Sequence, residues 1–167
     1  EKPVISLSDA LAAGRIGRVA RGVPPVLPDD GGEPWRRRAA TLELYALVHE
    51  IVALTDFGRE APPPWLTERL QPLNSFLVQA IAWAGEGGHV DLLSELLLTA
   101  RFIGASVQDV LPEALQTLLS SQRPDGSWGE DLNSGRANKS RHAVFTATTA
   151  LWAFAGVPGE QEAIRFP

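Results

Sequence analysis

The run Gln122-Arg123-Pro124-Asp125-Gly126-Ser127-Trp128-Gly129 constrains this chain more than any other stretch, because it sets nearly every helix-ending device between two strongly apolar helical patterns. Pro124 fixes its own φ and disfavours helix at Arg123, Gly126 can take a positive φ after Asp125, and Asp125 and Ser127 can bond nearby backbone amides. The chain must reverse here. Trp128, flanked by small residues, is expected to fold back beneath the corner and set the angle between the two helices.

Away from the corner, apolar residues recur at helical spacing. After Pro34, a residue suited to a helix start, Leu44, Leu47, Val48, Ile51 and Leu54 form one stripe and Tyr45, His49, Val52 and Asp56 a second, with Gly58 placed to end the helix. Leu73, Phe76, Leu77, Ala80, Ile81 and Ala84 give an unbroken apolar face after Pro72. Gly85, Gly87 and Gly88 are read as breaking the chain, beyond which Val90, Leu93, Leu96, Leu97, Ala100 and Ile103 define another helix, stopped by Gly104; Leu92, Leu98 and Phe102 widen its stripe until it is apolar on most of its circumference. Val110, Leu111, Ala114, Leu115, Leu118 and Leu119 lead into the corner, with Pro112 in the first turn. The last helix, with Val144, Ala147, Leu151 and Phe154 on one face and Phe145, Thr148, Thr149 and Trp152 on another, is nearly apolar all round.

The segments between are read from their breakers. Residues 8–21 form a short, irregular helix weakened by glycines, residues 22–34 an extended arm, and residues 60–65 a Pro-rich extended connector with helix from Leu66. Residues 130–140 are polar and contain Gly and Asn, the composition of a mobile loop. No convincing strand appears, so the expectation is a single all-α domain, 1–167, of antiparallel helical hairpins packed as a partial α/α toroid or a small helical bundle. If neighbours alternate in direction, the helices starting near Arg36, His89 and Arg141 run the same way and place their N-termini on one rim.

Gln122, Asp125, Gly126, Ser127, Trp128 and Gly129 match a motif, Gln-x-x-Asp-Gly-Ser-Trp-Gly, that resembles the glutamine and tryptophan repeat of squalene-hopene cyclases and other terpenoid cyclases. It is also similar to the corresponding turn of protein prenyltransferase β-subunits, and the helix from His142 to Phe154 resembles the inner helix that follows it. The match covers the last third of the chain. It implies an α/α-toroid relationship and a divergent member of that superfamily, binding or transforming an apolar small molecule in specialised metabolism. The catalytic patterns of those families do not stand here: there is no Asp-x-Asp-Asp acid motif, and without cysteine the prenyltransferase zinc set cannot form.

Composition bounds the rest. A formal net charge of −5 gives no basic face for nucleic acid, and Arg36-Arg37-Arg38 reads as a solvated helix start. No apolar run reaches membrane-spanning length and no signal pattern opens the chain, so a cytoplasmic setting is the expectation. The absence of cysteine removes disulfides, thiolate metal sites and a Cys nucleophile. No Gly-rich phosphate loop and no Gly-x-Ser-x-Gly elbow is present. Asp29-Asp30, the paired aspartates, lie in a Pro/Gly stretch and read as a solvated turn.

Two sets of candidate site residues remain. His142, Thr146, Thr149, Trp152 and Trp83 offer polar groups and aromatic surface to an otherwise apolar ligand pocket, against the alternative that such aromatics are core. The rim argument brings His89 and Asp91 toward Asp131 and His142, a set able to bind a divalent transition metal or act as acid and base; capping and surface placement is the alternative. His49 with Tyr45 is a further candidate, against the alternative that a mid-helix histidine beside apolar turns is a hydrogen-bonded core or boundary residue. No organic cofactor is implied. Whether the chain is an enzyme stays open, and a non-enzymatic helical module that binds a protein partner is the second reading. Because the chain is too short to close a toroid, either a two-fold homodimer or the arm carrying Val23, Val26 and Leu27 is expected to cover the apolar helices.

Overall fold

The computed structural model of the chain describes residues 34–68, 70–129 and 141–154, together with Leu27. Among the described residues six helices follow one another: α1 (Pro34–Leu54), α2 (Pro64–Thr67), α3 (Leu70–Glu86), α4 (Val90–Ile103), α5 (Leu111–Ser121) and α6 (Arg141–Phe154). Among the described residues there is no strand, so the chain is all-α. The irregular first helix, Asp29-Asp30 and the loop at 130–140 lie outside the described residues, as does the arm apart from Leu27, which is half-buried against the core.

The organising element is α4. Its sequence is apolar on most faces, and a helix of that kind can only be accommodated with neighbours on several sides. The fold supplies them from within the chain: α1, α3, α5 and α6 all pack on α4, and every residue from Val90 to Ala100, with Ile103, is buried. Leu92, Leu93, Leu96 and Leu97 have no exposed surface, and each contributes roughly 1.5–3 kcal/mol of burial. By contrast α3 buries only the stripe Leu73, Phe76, Leu77, Ala80, Ile81 and Ala84, leaving Gln71, Ser75, Gln79 and Glu86 in water. This corrects the premise of the dimer expectation. The second side of α4 does not await another copy, because α1 and α6 already cover it.

The helix ends show how the directions are set. After α3, the Gly88 amide bonds to the Gly85 carbonyl at 3.1 Å and the His89 amide to the Ala84 carbonyl at 2.9 Å, with Gly88 at φ 69°. This Schellman closure reverses the chain within three residues, making α3 and α4 antiparallel; Asn74 of α3 then donates to the Ser106 carbonyl just beyond α4 at 2.9 Å. Gly104 ends α4 in the same way.

The end of α1 differs from the expectation that Gly58 stops it. Helix ends at Leu54, and Asp56 takes the left-handed position at φ 43°, with the Phe57 amide reaching the Val52 carbonyl at 2.9 Å. Phe57 and Gly58 continue left-handed at φ 57° and 77°. Buried Thr55 holds this turn, donating its hydroxyl to the Ile51 carbonyl at 2.9 Å and accepting the Gly58 amide at 3.3 Å. Two smaller features come from proline. Pro64 opens α2 two residues before the expected start, and Pro72, which by its ring could interrupt a helix or open one, falls inside the first turn of α3, where its missing N–H is harmless.

The corner closes as its residues dictate. The Gly126 amide bonds to the Arg123 carbonyl at 2.8 Å and the Arg123 amide to the Ser127 carbonyl at 2.9 Å, with Gly126 at φ 79°. Asp125 Oδ1 accepts the Ser127 amide at 3.1 Å and its hydroxyl at 2.6 Å. The Gln122 side-chain amide donates to the Gly126 carbonyl at 3.2 Å. Trp128 is buried beneath α5, and its indole N–H donates to the Leu118 carbonyl at 2.9 Å.

Candidate functional site

Polar side chains from three helices meet at the N-terminal half of α4. Asp91 lies in its first turn, where the unsatisfied helix amides favour a carboxylate. It accepts the Tyr45 hydroxyl of α1 on Oδ2 at 3.0 Å and the Thr146 hydroxyl of α6 on Oδ1 at 2.9 Å. One turn later Glu95 lies with Oε2 at 3.6 Å from His49 Nε2. The two residues face different media: the Glu95 side chain is 7% exposed and the His49 side chain 63%. Tyr45 and His49 are themselves one turn apart on α1, with ring centroids separated by 6.1 Å. Matching of 45 with 91 and 49 with 95 requires α1 and α4 to run in the same direction, as helix parity anticipates.

Two carboxylates on one buried turn are a demanding arrangement. Desolvation opposes both charges and their mutual repulsion adds to it, so hydroxyl donors and the helix N-terminus must offset the burden. Ser94 returns its hydroxyl to the Val90 carbonyl at 2.8 Å, while the Thr99 hydroxyl oxygen, wholly buried one further turn along α4, has no hydrogen-bond partner. The seam therefore joins acceptors that favour a cation or a hydrogen-bond donor, an imidazole reaching solvent, and apolar walls supplied by the same three helices.

The structure distributes the expected site residues unevenly. Thr146 is buried in the seam and Thr149 is half-buried one turn on. Trp83 is elsewhere, on α3, stacked on His89 with ring centroids 5.0 Å apart and 26° between planes. The His89 ring also lies against Gly87, where a Cβ would come within 2.9 Å of the imidazole Cδ2. Thus His89 turns toward α3 while Asp91 turns toward α1 and α6. Asp131 and the side chains of His142 and Trp152 lie outside the described residues; among those described, no group of three or more His, Asp or Glu side chains is placed to hold a metal ion. The sequence reading missed Glu95 altogether. A second acid four residues after Asp91, in a helix apolar on nearly all faces, was the available signal.

Among the described residues no helix is long and apolar enough to cross a membrane. No curated protein and no solved structure matches the chain. A family model described as a domain of unknown function, DUF6895, matches residues 26–149, a span that takes in α1 to α5, the corner and the Thr146 end of the seam. The chain therefore belongs to the DUF6895 family.

Proposed function

We propose that the chain is a small-molecule-binding helical module whose ligand has an apolar body and a hydrogen-bond-donating or cationic head, the head being held by the Asp91–Glu95 seam. The observation that carries this reading is the convergence of Tyr45, Asp91, Thr146, His49 and Glu95 from three helices that otherwise meet through apolar side chains. Buried ionic groups of this kind are often no more stabilising than apolar side chains of similar volume, so stability alone does not account for them. The likeness of the corner to the terpenoid-cyclase repeat supports an isoprenoid-like body. Titration calorimetry with geranylamine, geraniol and geranic acid tests the reading. The amine is expected to bind most tightly and the acid least, with Glu95→Gln removing the preference; equal affinity for amine and acid, or no binding of either, rejects it.

A second reading, a helical module that binds a protein partner, is favoured by one observation. Phe57 is 60% exposed on a left-handed turn and Leu42 is 61% exposed on α1. Light scattering addresses the self-associating form: a mass near 18 kDa at all concentrations removes a homodimer, and a doubled mass that falls in Leu42→Ser, Phe57→Ser supports one.

A further inference from the structure

On the outer side of the bundle, α3 and α5 leave a cavity of about 150 Å³ between them, lined by Ile81, Ala82, Gly85 and Glu86 of α3, Val110, and Glu113, Ala114 and Thr117 of α5. Ile81 and Ala114 are buried and form its floor, whereas Glu86 and Glu113 are exposed at its rim. We infer that this groove is a separate binding site for a small organic ammonium ion, its apolar part on the floor and its charge between the two glutamates.

Size and charge select the occupant. A cavity of about 150 Å³ accepts a benzene-sized group, and it is too small for the drug-sized ligands that fill ordinary pockets. Charge complementarity excludes an anion, because one carboxylate stands on each helix with the apolar floor between them. Gly85 supplies an independent argument. It is the next-to-last residue of α3, a helical position at which alanine is the better helix former. Its backbone is not left-handed, and an added Cβ would meet only Leu93 Cδ2, at an unstrained 4.0 Å. Neither backbone geometry nor packing therefore requires glycine. What the missing side chain does is keep the groove open.

The site shares no residue with the seam, so the two stand or fall separately. The test is amide-resolved NMR titration with 2-phenylethylammonium, 2-phenylethanol and phenylacetate as probes. The expected result is saturable shifts at Gly85, Glu86, Glu113 and Thr117 for the ammonium, with Kd of about 1–10 mM for a probe of this size. Glu86→Gln with Glu113→Gln should weaken binding at least about three-fold, since exposed ion pairs are individually weak. Gly85→Ala should bind more weakly yet melt higher, and Gly85→Leu should abolish binding. Asp91→Asn and Glu95→Gln should leave the ammonium titration unchanged. Equal binding of 2-phenylethanol, an affinity unchanged in the double glutamine variant, shifts that vanish in Asp91→Asn, or no saturable shift at all would each overturn the inference. The glutamates are on the surface, so their variants remain informative even if Gly85→Leu does not fold.

Discussion

Trp128 offers the most exacting test of how the corner holds the bundle. Near the end of α5 the Gln122 amide turns to the Leu119 carbonyl at 3.4 Å, so the Leu118 carbonyl is served by side chains: the Ser121 hydroxyl at 2.8 Å and the Trp128 indole N–H at 2.9 Å. Trp128 thus combines a large buried ring, 4% exposed, with one hydrogen bond to a terminal helix carbonyl. The two contributions separate by substitution. Trp128→Phe keeps most of the apolar contact but removes the donor, and because Ser121 still serves the carbonyl the loss should be about 1–2 kcal/mol. Trp128→Ala removes ring and donor together and leaves a cavity, for about 3–5 kcal/mol. In a chain of this length each kcal/mol lowers Tm by roughly 2–4 °C, so the alanine variant should melt roughly 6–20 °C lower. Urea unfolding followed by circular dichroism measures both, with an unchanged m-value showing that the comparison is fair. An alanine variant with the wild-type midpoint would refute the anchoring role, and a phenylalanine variant as unstable as alanine would refute the division between ring and hydrogen bond.

Other substitutions probe the remaining joints. Gly58→Ala should lose at least about 2 kcal/mol, because the residue sits at φ 77° and a Cβ would fall 2.4 Å from Phe102 Cδ1; thermal melts should also show partial recovery on adding Phe102→Leu. Asp56→Gly should raise stability by about 0.5–1 kcal/mol in the same assay, since it relieves a left-handed non-glycine residue at the end of α1. Tyr45→Phe and Asp91→Asn should each lose about 1–3 kcal/mol, and a double-mutant cycle should show coupling of at least about 0.5 kcal/mol; strict additivity would mean that the 3.0 Å contact does not hold in solution.

How much was legible in the sequence follows from the range over which each interaction acts. Apolar periodicity located α3, α4 and α5 because burial of a helical stripe is a local pattern, and the corner was legible because Pro124, Asp125 and Gly126 act on their own backbone. The end of α1 was not. Asp56 takes a position usually reserved for glycine or asparagine, and the turn it enters is held by Thr55, a buried hydroxyl whose partners are invisible to composition. The apolar circumference of α4 was legible in its sequence, but which surfaces cover it is a question of topology, and the chain answers it with its own α1, α3, α5 and α6.

The seam marks the same boundary between local and long-range information. Asp91 and Tyr45 are separated by 46 positions and Asp91 and Thr146 by 55, so no spacing rule links them. Their meeting depends on register. If α1 slipped by one turn along α4, Tyr45 would face Glu95 or lose its partner, and His49 would leave the carboxylate it approaches. Apolar contacts alone tolerate such a slip, because Leu44, Leu47, Val48 and Ile51 present similar surface at each turn. Directional hydrogen bonds to a buried carboxylate do not tolerate it, since a displaced partner leaves a desolvated charge behind. The acids of α4 therefore select one alignment of three helices, and that same alignment brings their polar groups to a single place.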